Sequence, residues 1–143
     1  MISTPSTADL STRAAGAGRL DVRRSVGLVV YGGAAWAAAA GLVHLLNGYG
    51  LLRGVGNLAM YIVAVPLLWG CVVLARRGLR LAGGQLVAAM ALATTAALML
   101  DGVAVMWFPG LYGPDAPAAL AGAALILWGA GVGQALAFIL ERR

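Results

Sequence analysis

Residues 57–80 read NLAMYIVAVPLLWGCVVLARRGLR: 19 residues without a charge, then three arginines within five positions. A helix rises about 1.5 Å per residue, so roughly 20 residues cross the ~30 Å hydrocarbon core of a bilayer. The stretch therefore reads as one membrane span with a cationic end. Working outward, three further apolar runs cover about 25–46, 81–108 and 116–140, each long enough to span with some tilt. None alternates polar and apolar residues as a membrane β-barrel strand does. The connections are short, so neighbouring spans run antiparallel. The expected fold is all-α, a membrane-spanning up-down-up-down four-helix bundle over 25–143, in which spans 1 and 3 sit diagonally. Residues 1–24, rich in Ser, Thr, Ala, Gly and Arg, lack apolar periodicity and read as a disordered cytoplasmic tail.

The arginines orient the bundle. There are ten, with no lysine, and nine fall on one side of the four spans: Arg13, Arg19, Arg23, Arg24, Arg76, Arg77, Arg80, Arg142 and Arg143. Only Arg53 falls on the other. Positive residues near span ends are retained in the cytoplasm, so both termini are expected inside, in the inner (cytoplasmic) membrane of a bacterium. Tyr49, Trp107 and Tyr112 fall near the opposite boundary, as an aromatic belt would. Arg23-Arg24-Ser25-Val26-Gly27-Leu28 resembles a twin-arginine start, but the apolar run continues to Leu46, which is span length.

Composition narrows the chemistry. At 62% hydrophobic and 10% charged residues, the 143-residue chain belongs in lipid. Its net charge of +5 is partitioned by topology rather than gathered into a groove, which argues against nucleic acid. Cys71 is the only cysteine, which removes intramolecular disulfides and thiol-rich metal sites. His44 is the only histidine, so two histidines of one chain cannot ligate a haem, and without lysine there is no retinal Schiff base. No cofactor or metal is expected. The bilayer is the expected partner, with a second copy or another membrane protein as further candidates.

Few polar residues remain inside the spans. Asp101 is the only acidic one, and an intramembrane carboxyl group is a site candidate because it is expensive unless paired or wetted. Counted from the arginines, His44 lies 20 residues beyond Arg24 and Asp101 lies 21 beyond Arg80, so both reach the outer leaflet. A diagonal His44–Asp101 pair, with Asn47 and Tyr61 nearby and Thr94 two turns deeper, would form an outward-facing polar pocket for a ligand or proton. The alternative is that each is separately wetted or bonded to backbone. Gln134 is expected to hydrogen-bond between helices, and Pro66 to kink span 2. Gly33, Ala37, Ala40, Gly41 and His44 share one face of span 1. Gly129 and Gly133 have the spacing of a helix-packing seam, within the chain or between copies. Trp36, Trp69 and Trp128 read as core filling or lipid contacts rather than ligand contacts.

Leu100 to Gly113 runs Leu-Asp-Gly-Val-Ala-Val-Met-Trp-Phe-Pro-Gly-Leu-Tyr-Gly, followed by an Ala-rich span containing Leu127-Trp128-Gly129. This C-terminal third resembles uncharacterised small four-helix bacterial membrane proteins, in which Leu-Asp and Phe-Pro elements recur at the end of the third span. The resemblance implies no activity, but it draws attention to Asp101 and Pro109. Small multidrug transporters share the four-span build, yet their acidic residue lies in the first span, which here has none. Three functions stay open: binding or transport of a proton or small solute, a non-catalytic accessory or assembly subunit, and a membrane-embedded acid–base enzyme acting on a lipid or isoprenoid.

Overall fold

Lipid offers the backbone no hydrogen-bond partners, so an apolar run crosses it as a helix, which satisfies its own amides. The computed structural model describes residues 20–81 and 84–142, and the four runs are α1 (Val22–Gly48), α2 (Gly54–Gly78), α3 (Leu86–Trp107) and α4 (Ala116–Glu141). A short 3-10 turn, Pro109–Leu111, precedes α4. All four helices are long and apolar enough to cross a membrane, and no strand occurs among the described residues. The chain is a multi-pass membrane protein folded as an up-down-up-down four-helix bundle.

Two boundaries depart from expectation. The tail expected over 1–24 lies outside the described residues as far as residue 19; beyond it Leu20 packs on the core and α1 begins at Val22, so 22–24 are helical. The third span starts at Leu86 instead of residue 81, because Arg80 (φ 48°) and Gly84 (φ 83°) adopt left-handed backbone that no helix continues through. Pro66 lies inside α2, which runs on past it to Gly78. Arg76 and Arg77 occupy the last turn of α2, where a cation complements the helix dipole.

The packing order is the main correction. α1 and α3, expected on a diagonal, are the most extensively packed pair, and α4 lies against α3, α2 and, less fully, α1. α2 rests chiefly on α4 and meets the other two mainly through side chains at the arginine-rich end. The reason lies at Gly32, where an added Cβ would fall 2.2 Å from the Ala93 carbonyl oxygen. Only glycine lets these two backbones approach so closely. The inward stripe of α1 accordingly includes Leu28, Gly32, Ala40, Val43 and Asn47. Much of the small-residue face read from the sequence, Ala37, Gly41 and His44 among it, is exposed.

Two apolar clusters stack along the bundle. At the arginine-rich end, Leu28, Val72, Ala75, Leu86, Ala89, Met90 and Ala137 bring all four helices together. There Tyr31 Oη donates to the Cys71 carbonyl at 2.9 Å, tying α1 to α2. At the opposite end, Val43, Leu52, Ala104, Tyr112 and Leu125 form the second cluster. The outer surface is apolar all round, with Val30, Leu58, Ile62, Leu74, Leu120 and Phe138 exposed as lipid-facing residues must be.

Candidate functional site

Asp101 sits six residues before the end of α3 and is only 6% exposed. Its Oδ1 accepts two hydrogen bonds, from Trp36 Nε1 on α1 at 2.9 Å and from the Tyr112 hydroxyl, beyond the 3-10 turn, at 2.5 Å. Its Oδ2 is buried and has no hydrogen-bond partner among the described residues. Neither donor carries a charge, so the carboxyl group is held by dipoles alone. Tyr112 is 1% exposed, and burial together with the bond to Asp101 pushes its phenol up to about 12. A raised phenol stays protonated below its ordinary value near 10, so Tyr112 remains a donor throughout the neutral range and loses that role only as pH rises through about 12.

The chain returns Tyr112 to this position by a backbone device. Asn47, in the last turn of α1, donates from Nδ2 to the Tyr112 carbonyl and, at 3.1 Å, to the Ala118 carbonyl. One side chain thus pins the connection between α3 and α4 onto α1. Gly122 allows the close fit, since a Cβ there would lie 2.6 Å from Val43 Cγ1 and 2.8 Å from the Tyr112 carbonyl oxygen. Asp115 caps α4 by accepting from the Ala118 amide at 2.8 Å, and its other oxygen pairs with Arg53 at 2.9 Å. The single arginine outside the topological pattern is thus the one paired with a carboxylate among the described residues.

Between the two apolar clusters lies a cavity of about 200 Å³, lined by residues of all four helices. Trp36, Ala97, Asp101, Leu68, Ile126 and Gly129 are among them, and Asp101 and Thr94 are its polar side chains apart from the Trp36 indole N–H. The expected pocket was polar; this one is apolar with one carboxyl group at the end away from the arginines. Thr94 lies two turns from Asp101 along α3, and its Oγ1 accepts from Gln134 Nε2 at 2.9 Å. Gln134 therefore bridges α3 and α4.

The other expected residues separate. His44 is exposed on α1 and has no hydrogen bond among the described residues; it does not meet Asp101. A shift of one position around a helix is about 100°, and the Gly32 contact turns α1 by that much from the face read in the sequence. Asn47 supports Tyr112 and does not line the cavity. Tyr61 packs edge-on against Trp128, ring centroids 5.0 Å apart, and joins the second apolar cluster. Gly129 and Gly133 are buried along the cavity; a Cβ at Gly129 would touch Leu68, while one at Gly133 would meet open space. They make room there instead of bringing two backbones together.

Trp36 and Tyr112 are the site residues that the sequence reading did not assign to Asp101. The sequence suggests an aromatic belt of Tyr49, Trp107 and Tyr112; the first two are exposed, whereas Tyr112 is buried. The available signal was chemical: a buried indole N–H or phenol seeks an acceptor, and Asp101 is the only carboxyl group at that depth. No protein-family model matches the chain, and no curated protein or solved structure is detectably similar to it.

Proposed function

We propose that this protein is a membrane-embedded binding protein in which Asp101 receives a proton or a small solute within the outer half of the bilayer. The observation that carries the reading is the Oδ2 oxygen, buried without a partner beside a cavity. An unsatisfied buried acceptor costs about 1–3 kcal/mol, so a carboxyl group kept that way in a hydrocarbon setting marks a place where something else binds. Trp36 and Tyr112 orient the group through its other oxygen, and neither bonds Oδ2. The arginine partition supports placing both termini in the cytoplasm and Asp101 toward the outside.

Proton movement is the simplest readout. In proteoliposomes carrying a pH-sensitive dye, wild-type protein should dissipate an imposed pH gradient faster than empty vesicles. Asp101→Asn should remove the difference while keeping both hydrogen bonds to Oδ1. Equal rates for the variant and the wild type would take Asp101 out of the mechanism.

A further inference from the structure

The cavity defines a ligand more narrowly than "a small solute". An ionised carboxylate only accepts, and both partners of Asp101 Oδ1 are uncharged donors, while Oδ2 has none. No Arg or His side chain pairs with Asp101 among the described residues. The group that complements this carboxylate is a cation with an N–H to donate. The rest of the lining is apolar, with the Trp36 ring beside the carboxyl group, and an aromatic ring also attracts a cation. The ligand that fits is thus charged at one end and hydrophobic elsewhere.

Size and access follow from the same geometry. A dry cavity of about 150 Å³ takes benzene, so about 200 Å³ has room for one ring and a short amine arm. α2 is held chiefly against α4 and approaches α1 and α3 less closely, closing the cavity with the side chains of Ala64, Leu67, Leu68 and Val72. Leu42, Leu67 and Leu98 line the cavity and are also exposed, so they mark where it meets lipid.

We propose that the cavity binds a small hydrophobic amine in its ammonium form, entering sideways from the bilayer between α2 and the α1–α3 pair, with its N–H donating to Asp101 Oδ2. This rests on the reading of Asp101 as the binding group. Entry through lipid suits such a compound, because its apolar body partitions into the interface while its charge stays at headgroup level.

The test is equilibrium dialysis of radiolabelled 2-phenylethylamine against the full chain in phosphatidylcholine nanodiscs, with empty discs subtracted. Saturable binding is expected, weakened at least about tenfold by Asp101→Asn, since hydrogen bonds to charged groups are worth that much. Ala97→Leu, which fills the cavity and leaves the carboxyl group in place, should weaken it as well. The neutral isostere 2-phenylethanol should bind at least about tenfold less tightly than the amine. Equal, Asp101-dependent binding of the alcohol would overturn the ammonium class and leave Asp101 as the binding group. Amine binding unchanged in Asp101→Asn would overturn both. Absence of saturable amine binding to the wild type would overturn the ligand class, with the proton-flux experiment deciding the role of Asp101 separately.

Discussion

The two ends of the bundle use buried and half-buried polar groups in opposite ways. At the arginine-rich end the polar contacts between helices mostly tie helix ends together, besides the Tyr31–Cys71 bond within the helices. Glu141 Oε1 accepts from the Leu86 and Val87 amides at 2.8 and 3.3 Å, capping α3 from the last residue of α4. Arg76 Nη1 donates to the Leu140 carbonyl at 3.2 Å, and Arg24 Nη1 donates to Gln85 Oε1 at 3.3 Å. Glu141 and Arg76 satisfy helix-end amides and a carbonyl that would otherwise be orphaned, and the Arg24–Gln85 bond ties α1 to the start of α3. At the opposite end two donors converge on one oxygen of Asp101 and leave the other bare. Asn47 Oδ1 and Asn57 Oδ1 are also buried without a partner among the described residues, but of the three only Asp101 can carry a charge and lines the cavity. What distinguishes Asp101 is therefore an unsatisfied ionisable group beside open space, not an unsatisfied atom alone.

The sharpest way to break the comparison is Asp101→Leu. It leaves the Trp36 indole N–H and the Tyr112 hydroxyl both buried without an acceptor, and should destabilise the bundle by about 3 kcal/mol. Asp101→Asn keeps an acceptor and should lose much less. Unfolding in mixed micelles of increasing dodecyl sulfate content compares them; equal losses would mean that the two bonds to Oδ1 hold little. Glu141→Ala removes a cap serving two amides and should lose about 1 kcal/mol in the same assay, with binding at the cavity intact. A loss of binding there would erase the division of labour between the two ends. Smallest is Gln134→Ala, at about 0.6 kcal/mol, the usual size of an interhelical hydrogen bond in a membrane. A loss several times larger would make the Thr94–Gln134 bridge part of the site's framework.

The sequence reading reached the spans and the carboxyl group but not the packing, for physical reasons visible at particular residues. Apolar length is a strong signal, because lipid enforces it on every span. Asp101 stood out because ionisable groups are rare at that depth. Helix faces were harder: a membrane helix is apolar all round, so α1 carries no stripe to show that Gly32 and Val43 face inward while Gly41 and His44 face lipid. The short link between α1 and α2 suggested side-by-side packing, yet the Gly32–Ala93 approach joins α1 to α3. Tyr112 was ambiguous for a different reason. A tyrosine near a span end serves equally well in an interfacial belt or as a buried donor, and the choice here depends on Asn47 folding the connection back over α1.

The central claim is that the free oxygen of Asp101 exchanges with something beyond the protein. Infrared difference spectroscopy of the reconstituted chain, titrated with acid and base and compared with Asp101→Asn, addresses it most directly. The expected result is a carboxyl band that changes reversibly with pH, shifts in deuterium oxide, disappears in the variant, and is perturbed by 2-phenylethylamine. A band in the wild type that is insensitive to pH, deuterium and amine would contradict it, and would make Asp101 a structural lock like those at the arginine-rich end.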